Sequence, residues 1–267
     1  MTTRSLPERP DLDQLRRLAK ELRNAGRAGE PDALARLAVH HRRGAPVTLA
    51  AAQLTVAREH GFASWPQLKA TVEERLMSRD QQARALVLAS ISGRLDRAAR
   101  LVEADPSLAT HNIWTAAVVG EVGHVRTSLA REPALAVQPD PESGWTPLLV
   151  VCNSRWHQID PARGPGLCQV GEALLDAGAS PDTSIGTVPQ FGHCSALYAA
   201  AGLANHPALA ELLLKRGADP DTPAALYHTA FLGDHVCMRL LLDHGARAEG
   251  ADALAAAISV DDTEAVR

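Results

Sequence analysis

Cysteine and histidine side chains between residues 152 and 194 are the groups of this chain best suited to chemistry. They are Cys152, His157, Cys168, His193 and Cys194. Thiolates and imidazoles are common zinc ligands, and a cysteine beside a histidine can serve as a nucleophile. Zinc fingers, however, use cysteine pairs roughly two to four residues apart, a spacing that this sequence lacks. We therefore favour a chain that is not an enzyme and has no catalytic residue, metal or cofactor, with an enzyme or metal-binding protein as the alternative.

The elements that position these residues repeat along the chain between Ser143 and Gly250. Residues 144–148 read Gly-Trp-Thr-Pro-Leu, and residues 174–182 read Leu-Leu-Asp-Ala-Gly-Ala-Ser-Pro-Asp. The second pattern returns at 212–221 and again, in part, at 240–247. A repeat of this kind predicts stacked units that share one continuous core.

Each unit is predicted to be a helix, a turn, a second helix and a finger loop. Thr146 can cap the first helix with its hydroxyl, and Pro147 suits the first helical turn, where its missing N–H is not needed. The leucine runs give the second helix an apolar face. Gly178, Gly217 and Gly245 follow those runs, where a left-handed residue ends a helix at least cost.

These patterns resemble the ankyrin repeat family. Residues 195–198 (Ser-Ala-Leu-Tyr) and 224–227 (Ala-Ala-Leu-Tyr) occupy the place of the Thr-Pro-Leu-His start of that family. The resemblance implies an all-α fold, an ankyrin-repeat α-solenoid of stacked helix-turn-helix units with finger loops, preceded by a small helical region. We expect about six units in residues 79–267, the first two degenerate and the last cut short at Arg267. The resemblance further implies that the concave face and the finger loops bind another protein.

Residues 1–78 do not follow the repeat and are predicted to form a separate helical leader. Residues 57–69 resemble a stretch commonly placed ahead of ankyrin arrays in bacterial proteins. Ala57, Gly61 and Ser64, with a predicted helix on each side, also resemble a helix-turn-helix DNA reader. The basic residues of this stretch are cancelled by neighbouring glutamates, whereas a phosphate-binding surface needs a positive excess. DNA contact is therefore an alternative only, and no nucleic acid partner is expected.

Composition argues against several other classes of protein. Of the 267 residues, 46% are hydrophobic and only 3% are aromatic, and the net charge is −4. Such a chain favours helices with small-residue interfaces over a large sheet core. No apolar run approaches the roughly 18 to 20 residues that span a bilayer, and residues 1–10 contain no apolar signal segment. We expect a cytoplasmic protein without a membrane partner.

Aromatic and arginine side chains on predicted loops are the candidates for contact with a partner, because such residues carry most interface energy. They are Trp145 on a finger, Arg155 and Trp156 in an insertion of residues 153–167, Phe191 near the end of the loop of residues 182–192, and, as a second group, Tyr227, His228 and Phe231. The repeat register predicts that the first four are exposed, with burial of Trp145 under its own finger as an equal alternative. We expect all seven to line one continuous concave patch.

Overall fold

A computed structural model describes residues 5–7, 9–40, 45–188, 192–222 and 224–247 of the chain. The chain divides into two compact units, Met1–Asp80 and Gln81–Arg267. Phe191 and the predicted sixth unit, which begins near Leu254, lie outside the described residues. The number of units therefore stays a prediction.

The N-terminal unit is built from helices, three of which begin at a side-chain cap. They are α1 (Leu12–Arg27), α2 (Pro31–Ala38), α3 (Leu49–Glu59) and α4 (Trp65–Leu76). The side chains of Asp11, Thr48 and Ser64 each accept a hydrogen bond from a backbone N–H in the first turn of the helix that follows. This satisfies donors that have no partner inside the helix. The core consists of buried apolar side chains that include Leu15, Leu22, Leu37, Val56, Leu68 and Val72.

The second unit is a series of helix pairs. The first pair is α5 (Arg79–Ile91) and α6 (Leu95–Ala104), and the second is α7 (Ile113–Val119) and α8 (Val122–Arg131). The third is α9 (Pro147–Cys152) and α11 (Gly164–Asp176), with the short α10 (Trp156–Ile159) between them. The fourth is α12 (Ala196–Tyr198), continued by a π-helical turn over Ala199–Leu203, and α13 (Pro207–Lys215). The fifth is α14 (Ala225–Thr229) and α15 (Val236–Asp243).

Neighbouring pairs stack with like helices in contact. Among the first helices, α7 packs on α9, α9 on α12 and α12 on α14. Among the second helices, α8 packs on α11, α11 on α13 and α13 on α15. The core between the layers contains fully buried leucines, among them Leu148, Leu149, Leu174, Leu209, Leu213 and Leu241. One pair cannot bury its own apolar face, so the stack supplies the core, and the predicted all-α repeat fold is confirmed.

Side-chain caps mark where the first helices of the repeat units begin. The Thr146 hydroxyl accepts a hydrogen bond from Leu149 N at 3.4 Å, and the Ser195 hydroxyl accepts one from Tyr198 N at 3.1 Å. The fifth unit has Ala224 at this position, so its first helix has no side-chain cap, and Ala224 adopts a left-handed φ of 66°. That conformation is costly for a residue with a Cβ atom.

The fingers are joined by carboxylate contacts and one short hairpin. β1 (Ser184–Val188) pairs antiparallel with β2 (Gly192–Ser195). Asp182 Oδ1 accepts a hydrogen bond from Asp219 N at 2.8 Å, and Asp221 Oδ1 accepts one from Arg247 N at 2.7 Å. Each finger is thereby tied to the next. Within the described residues, none of the helices is long and apolar enough to cross a membrane.

Candidate functional site

Trp156 lies in the interior, so its predicted exposure is wrong. Its side chain is only 4% exposed, and its indole Nε1 donates a hydrogen bond of 2.9 Å to Ser90 Oγ in α5. The guanidinium carbon of Arg163 lies 4.9 Å from the centre of the indole ring. The insertion therefore folds back across the array instead of projecting into solvent.

Residues 153–163 of that insertion, here called the clamp, join helix pairs that are not neighbours in sequence. The clamp donates hydrogen bonds from Ser154 Oγ to Val118 O (2.6 Å), from Arg163 Nη1 to Val119 O (2.7 Å) and from Gln158 Nε2 to Ala204 O (2.9 Å). With the Trp156 contact, it reaches the first, second and fourth pairs. The clamp accordingly has a structural role that the repeat pattern alone does not predict.

Trp145 is likewise buried under its own finger, which is the alternative to exposure that the sequence left open. The side chain is 5% exposed, and its backbone carbonyl accepts hydrogen bonds of 2.9 Å from Trp114 Nε1 and from Asp140 N. The Asp140 carboxylate in turn accepts a hydrogen bond of 2.8 Å from Ser143 N, which closes the finger loop. Burial of the indole removes its apolar surface from water and thereby stabilises the fold.

The second group of predicted residues does form a cluster on the first-helix side of the array. Tyr198, Tyr227, His228 and Phe231, here called the aromatic ridge, lie in successive ring contacts. The centroid separations are 4.9 Å for Tyr198–His228, 5.1 Å for Tyr227–His228 and 5.2 Å for Tyr227–Phe231. The last two pairs meet edge to face, an orientation that aromatic quadrupoles favour.

Exposure within the ridge increases towards Phe231. Tyr198 is buried, Tyr227 and His228 are half-buried, and Phe231 is 45% exposed. Burial lowers the pKa of His228 below that of a free imidazole and raises the pKa of the Tyr198 phenol. Both side chains are therefore uncharged at neutral pH. The ridge presents an uncharged aromatic surface with polar edges.

Gly202 provides the space that the ridge needs. A Cβ atom at this position would lie 2.9 Å from His228 Cβ and 3.0 Å from Tyr198 Cδ2. We predict that Gly202→Ala shifts the ring resonances of both tyrosines and lowers the free energy of unfolding by about 1–3 kcal/mol, because overpacking forces side chains to move. NMR of tyrosine-labelled protein and urea unfolding measure the two effects. Gly186→Ala, where a Cβ atom would meet nothing within 4 Å, is the control. Unchanged tyrosine resonances in Gly202→Ala would show that Gly202 does not provide the space for the rings of the ridge.

Arg155 is half-buried, and its Nη1 lies 2.9 Å from the position that a Cβ atom would take on Gly93, in the turn between α5 and α6. Of the seven predicted residues, the structure brings together Tyr227, His228 and Phe231. Because Trp145 and Trp156 lie in the interior and Phe191 lies outside the described residues, the single patch of seven is not observed.

Sequence reasoning missed a cavity of about 330 Å³ between α5, α7 and the finger before α9. Leu88, Trp114 and Trp145 line its apolar part, and Leu88 is 47% exposed. Arg84 Nη1 and Glu142 Oε1 form an ion pair of 2.5 Å at the same cavity. No spacing in the sequence indicates this site, because its walls come from three separate elements.

The cysteine and histidine candidates are spread over different environments. Cys152 and Cys194 are fully buried, Cys168 is half-buried and His193 is exposed. Burial raises the pKa of all three thiols, so they remain protonated at neutral pH, whereas the nucleophilic form is the thiolate. Among the residues that the structure describes, no group of three or more potential metal ligands lies together.

His157 of the clamp contacts a second histidine instead. The ring centroids of His157 and His206 are 4.4 Å apart, and His206 Nδ1 accepts a hydrogen bond of 3.3 Å from Leu209 N at the start of α13. Burial, together with the neighbouring His157, lowers the pKa of His206 to about 4. Burial also lowers the pKa of His157. The pair is therefore uncharged at neutral pH and suits a packed junction between clamp and array.

Comparison with known families agrees with this architecture. The family model of the ankyrin repeat matches residues 192–225, which hold β2, the fourth helix pair and the start of α14. None of the curated proteins compared matches the chain. Ankyrin repeats generally mediate protein–protein interaction and are typically non-enzymatic scaffolds. The chain thus contains an ankyrin repeat at residues 192–225, which stacks on helix pairs of the same kind.

Proposed function

We propose that the chain binds a partner protein through the aromatic ridge. The observation that carries the proposal is the contiguous set of four rings ending in Phe231, which is 45% exposed. Aromatic side chains are enriched among the few residues that dominate protein interfaces. In this chain only 3% of residues are aromatic, so a cluster of exposed and half-buried rings is an unusual use of them.

The packing of the ridge favours binding without a large entropic cost. Tyr227 contacts both His228 and Phe231, and Tyr198 supports His228 from the fourth helix pair. Rings that are already held in place lose less side-chain freedom when a partner covers them. Affinity should therefore come from preorganised side chains and shape, with little movement of the backbone.

The proposal assigns different roles to the predicted residues. Tyr227, His228 and Phe231 contact the partner, whereas Trp145 and Trp156 hold the array together. Contact by Arg155 and by Phe191 stays a prediction, as do the bacterial type and the cytoplasmic location inferred from the sequence. The Cys152–Cys194 region is not favoured as a site of catalysis, because its thiols are protonated at neutral pH.

Site-specific photocrosslinking in the native cells tests the proposal. Benzoyl-phenylalanine in place of Phe231 should form a covalent adduct with one specific partner protein. The matched position is Leu242, which lies on α15 of the same unit and is 42% exposed. The same probe at Leu242 should not crosslink that partner. Equal crosslinking from both positions, or none from position 231, would remove the ridge as the binding face.

A further inference from the structure

The cavity between α5, α7 and the finger before α9 is a second candidate binding site of the chain. Its volume of about 330 Å³ falls within the range of roughly 300–1,000 Å³ that small-molecule sites occupy. All of its lining residues belong to the unit Gln81–Arg267, and none of them belongs to the aromatic ridge. The cavity can therefore hold a ligand independently of the ridge.

Much of the cavity lining is aliphatic or aromatic. Val87, Leu88 and Ile91 line it from α5, Trp114 from α7 and Trp145 from the finger. The Trp114 Nε1 donor is already engaged, because it donates a hydrogen bond of 2.9 Å to Trp145 O. What these residues offer a ligand is apolar surface, which favours an aromatic or branched aliphatic group in the cavity.

The charged residues of the lining carry one more negative than positive charge. Arg84 and Glu142 form an ion pair, and Asp140 is the remaining charged residue. Asp140 Oδ1 accepts hydrogen bonds from Glu142 N, Ser143 N and Ser143 Oγ. Its second oxygen, Oδ2, accepts no hydrogen bond from any residue that the structure describes. One carboxylate oxygen of the lining thus remains available to a ligand.

We propose that this cavity binds a small amine, in which a protonated ammonium group is joined to an aromatic or branched aliphatic group. The ammonium group donates a hydrogen bond to Asp140 Oδ2, and the apolar group lies against Leu88 and Trp114. A hydrogen bond from a cation to a carboxylate is stronger than one between neutral groups, and tryptophan rings also attract cations. A ligand carboxylate fits less well, because it would be a third negative group beside a single arginine.

NMR titration of the full chain with 2-phenylethylamine tests this site. The chain has four tryptophans, of which Trp114 and Trp145 line the cavity and Trp65 and Trp156 do not. We expect the amine to shift the indole N–H resonances of Trp114 and Trp145 and to leave those of the other two unchanged. Uncharged 2-phenylethanol should bind about tenfold more weakly, since the charge-assisted hydrogen bond is lost.

A variant at position 140 tests the recognition of the ammonium group. Asp140→Asn removes the charge and retains an oxygen that can accept the hydrogen bonds of the finger loop. Binding of 2-phenylethylamine should weaken by about tenfold, whereas binding of 2-phenylethanol should stay unchanged. The control Asp243→Asn removes a charge of the same sign from α15 and should change neither affinity.

A variant at position 88 tests occupancy of the cavity without altering the finger loop. Leu88 is exposed, so Leu88→Ser should leave the melting temperature of the free protein unchanged. Binding of 2-phenylethylamine and of 2-phenylethanol should both weaken by about threefold or more, because apolar contact with the ligand is lost.

Three results would overturn the proposal. Unchanged Trp114 and Trp145 resonances would show that the cavity does not bind the amine. Equal affinities of the wild type for 2-phenylethylamine and 2-phenylethanol would exclude recognition of the ammonium group by Asp140. Tighter binding of phenylacetate than of the amine would assign recognition to Arg84 and reverse the class of ligand.

Discussion

Trp156→Ala should lower the free energy of unfolding by about 3–5 kcal/mol, the usual cost of removing a buried aromatic side chain. The substitution leaves a cavity at the junction of the clamp with α5 and leaves Ser90 Oγ without the Trp156 Nε1 donor. It also removes the ring on which the Arg163 guanidinium lies. Urea unfolding followed by circular dichroism measures the loss.

Trp156→Phe is the matched variant for this prediction. Phenylalanine retains most of the apolar contact and lacks only the Nε1 donor, so we expect a smaller loss of about 1–2 kcal/mol. A partner-contact role for Trp156, as expected from its place in the repeat, would give the opposite pattern. In that case Trp156→Ala would reduce partner binding while stability stayed within about 0.5 kcal/mol of the wild type.

Stability should fall as the pH is lowered from about 6.5 to about 4, because of His206 in the clamp junction. The ordinary pKa of histidine is 6.5, and burial with the neighbouring His157 lowers that of His206 to about 4. Between these values the unfolded chain binds more protons than the folded chain, so protonation favours unfolding. Above pH 6.5 His206 is neutral in both the folded and the unfolded chain, and its titration no longer lowers the free energy of unfolding. The difference between the two pKa values corresponds to about 3 kcal/mol of that free energy.

His206→Asn separates this effect from the titration of carboxylates. Asparagine is a good N-cap and can accept the hydrogen bond from Leu209 N that His206 Nδ1 accepts, but it does not titrate. Urea unfolding at several pH values should show a shallower loss between pH 6.5 and 4 in the variant than in the wild type. Parallel pH profiles for the two proteins would show that His206 does not control acid stability.

The repeat units were predictable because their signals are local. A threonine or serine cap lies three residues before the backbone N–H from which its hydroxyl accepts a hydrogen bond. The glycines after the second helices adopt the left-handed conformation that the sequence predicts, with φ values of 99° at Gly178 and 93° at Gly217. Tyr227 and Phe231 are four residues apart, a spacing that places side chains on the same side of a helix or helical turn.

The errors concern contacts between residues that are far apart in sequence. Trp156 finds its hydrogen-bond partner in Ser90, 66 residues earlier, and no local pattern indicates that contact. For Trp145 the sequence left exposure and burial under its own finger open, and contacts with Asp140 and Trp114 close the finger over it.

The affinity of the crosslinked partner for a ridge variant tests the central claim most directly. Isothermal titration calorimetry should compare the wild type, Tyr227→Ala with Phe231→Ala, and the control Leu242→Ala, each with an unchanged melting temperature. We predict that the double variant binds at least about thirtyfold more weakly, or about 2 kcal/mol, as expected for interface anchors. The control should match the wild type. Wild-type affinity in the double variant would show that the ridge does not bind the partner.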